Sequence, residues 1–278
     1  MGKITRTWSL MGECWHVLMA DKSLLIFPLL SGICCLMLLA SFAVPLYLTH
    51  GWVPPSHDAA PTHQVAYYGS LFAFYVANYF VVVFFNTAIV ACAAERMTGG
   101  NPTIGDGLRA ATGRLPLIAG WAVVSATVGL ILRVIEDRSD KVGAIVAGIL
   151  GMAWTVISFL VVPVMVVENK GPFAALSEST RLLKQTWGEQ LVSNFGFGGI
   201  FFLLSLPAFA VMISGFWLHL GTAIDLALVV LGVIYLIALS LVQSALQAIF
   251  QTALYLYARD GRVPDGFQSD TLEGAMGR

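Results

Sequence analysis

Charge is what this chain has least of. Only 11% of its 278 residues are Asp, Glu, Lys or Arg, against about 25% in a water-soluble domain. A soluble fold needs a charged surface, and too few charges are present to make one. Apolar residues reach 58%, which puts the chain in the membrane class. A net charge of −1 offers no electrostatic footprint for nucleic acid.

Cysteine is also scarce. Cys14, Cys34, Cys35 and Cys92 have no metal-ligand spacing and make no secreted disulfide framework, so free thiols facing a reducing compartment are expected. There is no glycine-rich phosphate loop, metal-ligating His pair or catalytic serine motif. No catalytic residue, metal or cofactor is therefore assigned, and a non-enzymatic protein is expected. The most informative absence lies inside the apolar runs, where no Asp, Glu, Lys, Arg or His sits mid-span. Ion-coupled transporters usually keep such a group in the membrane despite its cost. Its lack argues against them and leaves a facilitator built on neutral groups open.

What is present is apolar length. Six stretches lack Asp, Glu, Lys and Arg: residues 24–48, 65–94, 115–132, 142–167, 191–217 and 226–258. A bilayer crossing needs about 20 apolar residues in a helix. The runs are continuous rather than alternating, so helices are expected and a barrel is not. The third run is the shortest, with Val134 and Ile135 available to extend it past Arg133. The second and last exceed the minimum and must tilt or project into water. The first carries a cleavage-like Ser41-Phe42-Ala43, but it is long for a signal peptide and follows a segment holding Glu13 and Asp21. It is expected to remain as a span.

Orientation follows from positive charge. With the N-terminus inside, the cytoplasmic segments hold Lys3, Arg6, Lys22, Arg96, Arg109, Arg114, Lys170, Arg181, Lys184, Arg259, Arg262 and Arg278. The outer side holds only Arg133, Arg138 and Lys141. Both ends are therefore expected in the cytoplasm.

The inward-facing segments carry helical apolar stripes of their own. Before the fifth span Phe173, Leu176, Thr180, Leu183 and Trp187 share a face, with Glu178, Arg181 and Lys184 opposite and Pro172 at the first helical position. Ile104, Leu108, Ala111 and Leu115 repeat the pattern before the third span, and Trp8, Met11, Trp15 and Leu18 before the first. Glu13-x-x-His16, Asp106-x-x-Arg109 and Glu178-x-x-Arg181 align these helices. The even spans also end alike: Glu95-Arg96 then Gly99-Gly100 and Pro102; Glu168-Asn169-Lys170 then Gly171-Pro172; Arg259-Asp260-Gly261 then Pro264. The expected fold is all-α and polytopic: six transmembrane helices with three cytoplasmic interfacial amphipathic helices, in a pseudo-threefold helix-plus-hairpin repeat. The repeats cover approximately 5–97, 98–170 and 171–260 of one membrane domain, 1–264, followed by a cytoplasmic tail, 265–278. Each hairpin enters from the same side, so the copies are parallel.

Several stretches carry a resemblance: Asp21-Lys22-Ser23-Leu24-Leu25-Ile26-Phe27-Pro28, Ile104-Gly105-Asp106-Gly107-Leu108-Arg109, Val162-Pro163-Val164-Met165-Val166-Val167-Glu168, and Arg181 through Trp187-Gly188. Through them the chain resembles an uncharacterised family of bacterial six-span integral membrane proteins. Its helix-plus-hairpin plan is similar to membrane domains attached to some glycerophosphodiester phosphodiesterases. No stretch here corresponds to their catalytic domain, so that activity is not carried over. The resemblance implies the six-span topology and a bacterial inner membrane.

The candidate site residues are neutral amides and surface cations. Gln243, Gln247 and Gln251 are spaced four apart in the last span, with Ser240 and Ser244 alongside. Asn78 and Asn86 lie eight apart in the second. They form either a polar-lined path or headgroup site, or interhelical hydrogen bonds that set register. Arg109, Arg114, Arg181 and Lys184 are candidate contacts to anionic headgroups. Gly143, Ala147 and Gly151 make a ladder suited to close helix packing, with Ala144 and Gly148 on the adjacent row. Gly196, Gly198 and Gly199 open the fifth span and Pro207 interrupts it, which predicts packing and a kink. His50, His57, His63 and His219 share the outer side with Asp58 and Asp225, groups that can bind Zn²⁺ or Cu²⁺. His50, His57 and His63, however, lie in a loop rich in proline and alanine at spacings that fit no ligand pattern, and read as solvated.

Two functions remain in play. In the first, a bundle in the bacterial inner membrane acts through contacts with membrane lipids, or with a protein partner or second copy. In the second, it is a facilitator or transporter subunit for a small neutral or lipid-like solute. The second predicts a continuous wet cavity lined by Asn78, Asn86, Gln243 or Gln247. The first predicts amides paired between helices and any groove open to lipid.

Overall fold

The computed structural model describes residues 3–50, 61–138, 141–186, 196–218, 222–261 and 263–268. It is all helical among these residues: α1 (Lys3–Ala20), a 3-10 turn (Lys22–Leu25), α2 (Ile26–His50), α3 (Pro61–Met97), α4 (Ile104–Thr112), α5 (Leu115–Arg138), α6 (Lys141–Ile157), α7 (Val161–Glu168), α8 (Pro172–Thr186), α9 (Gly196–Leu218) and α10 (Thr222–Asp260). Six segments are long and apolar enough to cross a bilayer: Lys22–Pro45, Val65–Met97, Leu115–Glu136, Gly143–Glu168, Gly198–Gly215 and Ala223–Asp260. The chain is a multi-pass membrane protein. The third segment runs past Arg133, as its flanking residues predicted.

α3 is the hub. It packs on α2, α4, α5, α7 and α10, and α3, α7 and α10 touch one another pairwise. The short helices dock on this trio, with α4 against α3, α8 against α7 and α1 against α10. Close approach explains the sequence at Gly107 on α4. A Cβ there would stand 2.7 Å from both Cys92 Sγ and the Phe27 ring, and 3.0 Å from the Ala88 carbonyl. Only glycine lets α4 lie this near α3.

The fourth span is broken, which the uninterrupted run 142–167 did not suggest. α6 ends at Ile157 and α7 begins at Val161. Pro163 is the cause, because its ring has no N–H and crowds the carbonyl four residues back, here Phe159. Irregular backbone at membrane depth survives only where it is buried and hydrogen-bonded. Ser179 of α8 meets that need. Its hydroxyl donates to the Ile157 carbonyl (2.7 Å) and accepts from the Leu160 N–H (3.1 Å). Ser179 and Leu160 are both fully buried.

The three short helices bury part of each predicted stripe and leave the rest exposed. α1 packs through Leu10, Met11, Cys14, Val17 and Leu18, while Trp8 and Trp15 are exposed. α8 buries Ala175, Ser179, Leu182 and Leu183 but leaves Phe173 74% exposed. α4 buries Gly107 and Ala111, with Leu115 exposed at the start of α5. Of the glycine ladder in α6, Gly143 and Ala147 are buried and Gly151 faces Leu132 of α5; Gly148 on the adjacent row meets nothing. Gly198 and Gly199 of α9 also meet no neighbour among the described residues. α9 runs through Pro207 as a single helix. Residues at the start of the expected tail are docked: the Asp265 N–H donates to the Met97 carbonyl, and Pro264 and Phe267 are buried. Trp187, His57 and His219, and the side chains of His50 and His63, lie outside the described residues.

Candidate functional site

Residues of α2, α3 and α10 form a cleft of about 180 Å³, lined by Ser31, Asn86, Ser244, Gln247 and Gln251 together with Pro28, Val82, Phe85, Ile89 and Ala248. Measured along each helix at about 1.5 Å per residue, the lining sits roughly 10–20 Å from Lys22, Glu95 and Arg259. That depth places it within the apolar length of all three spans. Ser244 and Gln247 are exposed, and so are Leu29 and Ile33 beside the α2 lining and Val82 on α3. The cleft is thus a lateral groove with an apolar rim.

Three of the five predicted amides meet here: Asn86, Gln247 and Gln251. Asn78 and Gln243 lie outside the lining. On α10 the lining follows positions 244, 247, 248 and 251, the i, i+3, i+4, i+7 face of a helix. Gln243 falls to one side of that face and Ser244 takes its place. Ser31 and Pro28 of α2 were not anticipated; a lone serine in an apolar run gives no signal until its neighbours are known. Among the described residues, no hydrogen bond joins Asn86, Gln247 or Gln251 to another side chain. An amide in an apolar setting without a partner is costly, so the groove presents free donors and acceptors to whatever fills it.

One turn beyond Gln251 on α10 stands Tyr255, fully buried, with its hydroxyl donating to Glu168 Oε1 at 2.6 Å. Glu168 ends α7 and also takes Lys170 Nζ at 2.5 Å, and Lys170 reaches Glu178 of α8 at 3.5 Å. Arg181 Nε donates to Glu178 Oε2 at 3.1 Å. The guanidinium of Arg259 lies over the Tyr255 ring, 5.5 Å from its centre. This network ties α7, α8 and α10 at the end of the bundle where the cations gather. Hydrogen bonding from Arg181 holds the Glu178 carboxyl below its ordinary range, and the Glu168 carboxylate raises Lys170.

The four candidate headgroup cations differ in placement. Arg109 is largely exposed and pairs with Asp106 at 3.5 Å. Asp106 also closes a capping box with Thr103, and these hydrogen bonds lower its pKa. Arg181 is spoken for by Glu178, and Lys184 is exposed on α8. Arg114 turns inward: its guanidinium donates to the Val166 carbonyl at 2.7 Å and the Ala110 carbonyl at 2.9 Å. It ties the start of α5 to the end of α7 and α4 rather than facing the surface.

Over residues 65–266 the chain matches the model of DUF6159, a family of unknown function. That match spans most of the chain, and the protein belongs to this family. No curated protein and no solved structure matches it.

Proposed function

We propose that this is a non-enzymatic protein of the bacterial inner membrane that acts through lipid contacts, with the lateral groove receiving a molecule from the bilayer. One observation supports this above others: amides from two helices, without side-chain partners among the described residues, and a hydroxyl from a third converge on a cleft that opens sideways at membrane depth. The contact reading expected these amides to pair between helices, and among the described residues they do not; its other expectation, a groove open to lipid, is the one that supports it.

In this reading the end carrying α4 and α8 is cytoplasmic, as are both termini, because most Lys and Arg collect there. α1, α4 and α8 form an interfacial collar with Trp8, Trp15 and Phe173 turned to the headgroup region. A pseudo-threefold plan is supported by the docking of each short helix on the closing helix of the preceding copy, with α1 on α10 completing the cycle. It is supported too by the left-handed residue after each closing helix: Gly99 (φ 87°), Asn169 (φ 53°) and Gly261 (φ 66°).

The facilitator reading draws on the broken fourth span, since discontinuous helices often line transport sites. It needs a path across the membrane, and Asn78 and Gln243, which would extend one, lie outside the groove. Mass spectrometry of what copurifies in gentle detergent tests the proposal. Enrichment of a membrane lipid over the bulk extract, lost in Asn86→Leu, is the expected result. A retained water-soluble solute would favour the facilitator instead, and no enrichment of anything would sink the groove as a binding site.

A further inference from the structure

We infer that the groove selects an uncharged amphiphile, a lipid whose polar end offers hydroxyl or carbonyl groups and carries no phosphate. The inference rests on the groove being a binding site and adds the class of its ligand. Every polar side chain in the lining is neutral: Ser31, Asn86, Ser244, Gln247 and Gln251. Amides and hydroxyls both donate and accept, so together they match a head of hydroxyls, esters or glycosidic oxygens, whose own groups do the same.

A charged head finds nothing to balance it. The cations nearest along the three helices are Lys22, Arg96 and Arg259, and none lines the groove. Arg96 donates to Asn101 at 2.8 Å and Arg259 pairs with Asp260 at 2.6 Å, so two of these are engaged elsewhere. Burying a phosphate at this depth without a counter-charge is strongly unfavourable. An ammonium head fares no better, because no carboxylate lines the groove.

The remaining lining suits the other end of such a molecule. Pro28, Val82, Phe85, Ile89 and Ala248 offer apolar surface beside the amides, and exposed Leu29, Ile33 and Val82 continue it outward. At about 180 Å³ the cleft is of a size for a small head and not for a whole lipid. The chains would stay in the bilayer.

The experiment uses the full chain in nanodiscs with two photoactivatable probes bearing the same diazirine acyl chain, a diacylglycerol and a phosphatidylglycerol. The diacylglycerol is expected to label peptides of α2, α3 and α10 around the lining, with glycerol in the aqueous phase failing to compete. Asn86→Leu or Gln247→Leu should cut that labelling by about tenfold, and Gln243→Leu should leave it unchanged. Gln247→Lys should raise labelling by phosphatidylglycerol, a gain that misfolding cannot mimic. Equal labelling by both probes in the wild type would overturn the selectivity while leaving the groove as a lipid site. Competition by glycerol would overturn it in favour of a soluble polyol. If neither probe labels the lining, the groove is not a lipid site and the proposed function falls with the inference.

Discussion

The two halves of α10 live under different rules. From Ala223 to Ser240 its side chains are mostly exposed, including Ile224, Leu226, Val230, Leu231, Ile234 and Ile237, with Gly232 buried against Met212 of α9. From Ala245 to Tyr257 almost every residue is buried, Ile249, Ala253 and Tyr255 completely. The first half meets α9 at Gly232 and Tyr235, whereas in the second Gln247 and Gln251 face α2 and α3, Phe250 meets Phe159, and Tyr255 reaches Glu168 at the end of α7. In the first half burial comes from lipid, which accepts any apolar shape. In the second it comes from protein, where shape and hydrogen bonding must fit. Substitutions should therefore be felt unequally at the two ends of the same helix bundle.

The sharpest contrast should come from serines. Ser179→Ala leaves a buried N–H at Leu160 and a half-buried carbonyl at Ile157 without their partner, at a cost of about 1–3 kcal/mol. Ser214→Ala on α9 removes only a local bond to the Val211 carbonyl, and should change little. Thermal unfolding in one mild detergent compares them. Equal shifts in Tm would mean that the break between α6 and α7 does not depend on α8.

Glycines give the next contrast. Gly107→Ala drives a methyl into Cys92, Phe27 and the Ala88 backbone, and overpacking of this kind costs about 1–3 kcal/mol. Gly148→Ala on α6 meets open space, and should be neutral or slightly stabilising through helix propensity. A Gly107→Ala protein that melts with the wild type would show that α4 can move away from α3 without loss.

How much of this was legible in the residues depends on the solvent each one meets. The spans were readable because hydrocarbon excludes charge, a rule that needs no knowledge of neighbours. The faces of α1 and α8 were legible only in part, with Met11, Leu18 and Leu183 buried as their stripes implied, because an apolar side chain at a membrane surface can face lipid or protein equally well. Trp8 and Trp15 extend the apolar stripe of α1 yet turn away from the bundle, while Leu10, Cys14 and Val17 turn in. Pro163 was visible, but its effect on a uniformly apolar run emerges only with Ser179, sixteen residues on and in another helix. The amide face was half legible. Spacing by four singled out Gln243, Gln247 and Gln251 with Ser244 alongside, and the packing of α2 against α10 decided that Gln243 falls outside and Ser31 joins the set.

Acid should separate the halves more gently. Glu178 has a folded-state pKa below its ordinary value, so its contribution is present above the unfolded value of about 4.3 and is lost as pH falls through the depressed one. Lys170 and Arg181 are shifted upward, so theirs is complete below the unfolded values and fades only at strongly alkaline pH. Between pH 5 and pH 3 hydrogen exchange should rise first in α8, where the pairs with Glu178 hold it, and not in the lipid-facing part of α10. Glu178→Gln should remove that acid step. If α8 and the first half of α10 exchange together on acidification, the pairs are not what anchors α8.

The smallest effect on stability is expected from Arg109, and it tells surface charge apart from packing within the same end of the bundle. Its pair with Asp106 is exposed on both sides, and such pairs contribute little once solvent screens them. Asp106 keeps its capping bonds to Thr103 without the arginine. Arg109→Gln should therefore melt with the wild type in neutral detergent. If α4 faces anionic headgroups, phosphatidylglycerol should raise Tm more for the wild type than for the variant, and salt should erase that difference. The double variant Arg109→Gln with Lys184→Gln should lose more of the rise, because α4 and α8 then each lose one exposed cation. An identical response of wild type and double variant to phosphatidylglycerol would leave these two helices held by protein packing alone, with no part in reading the membrane surface.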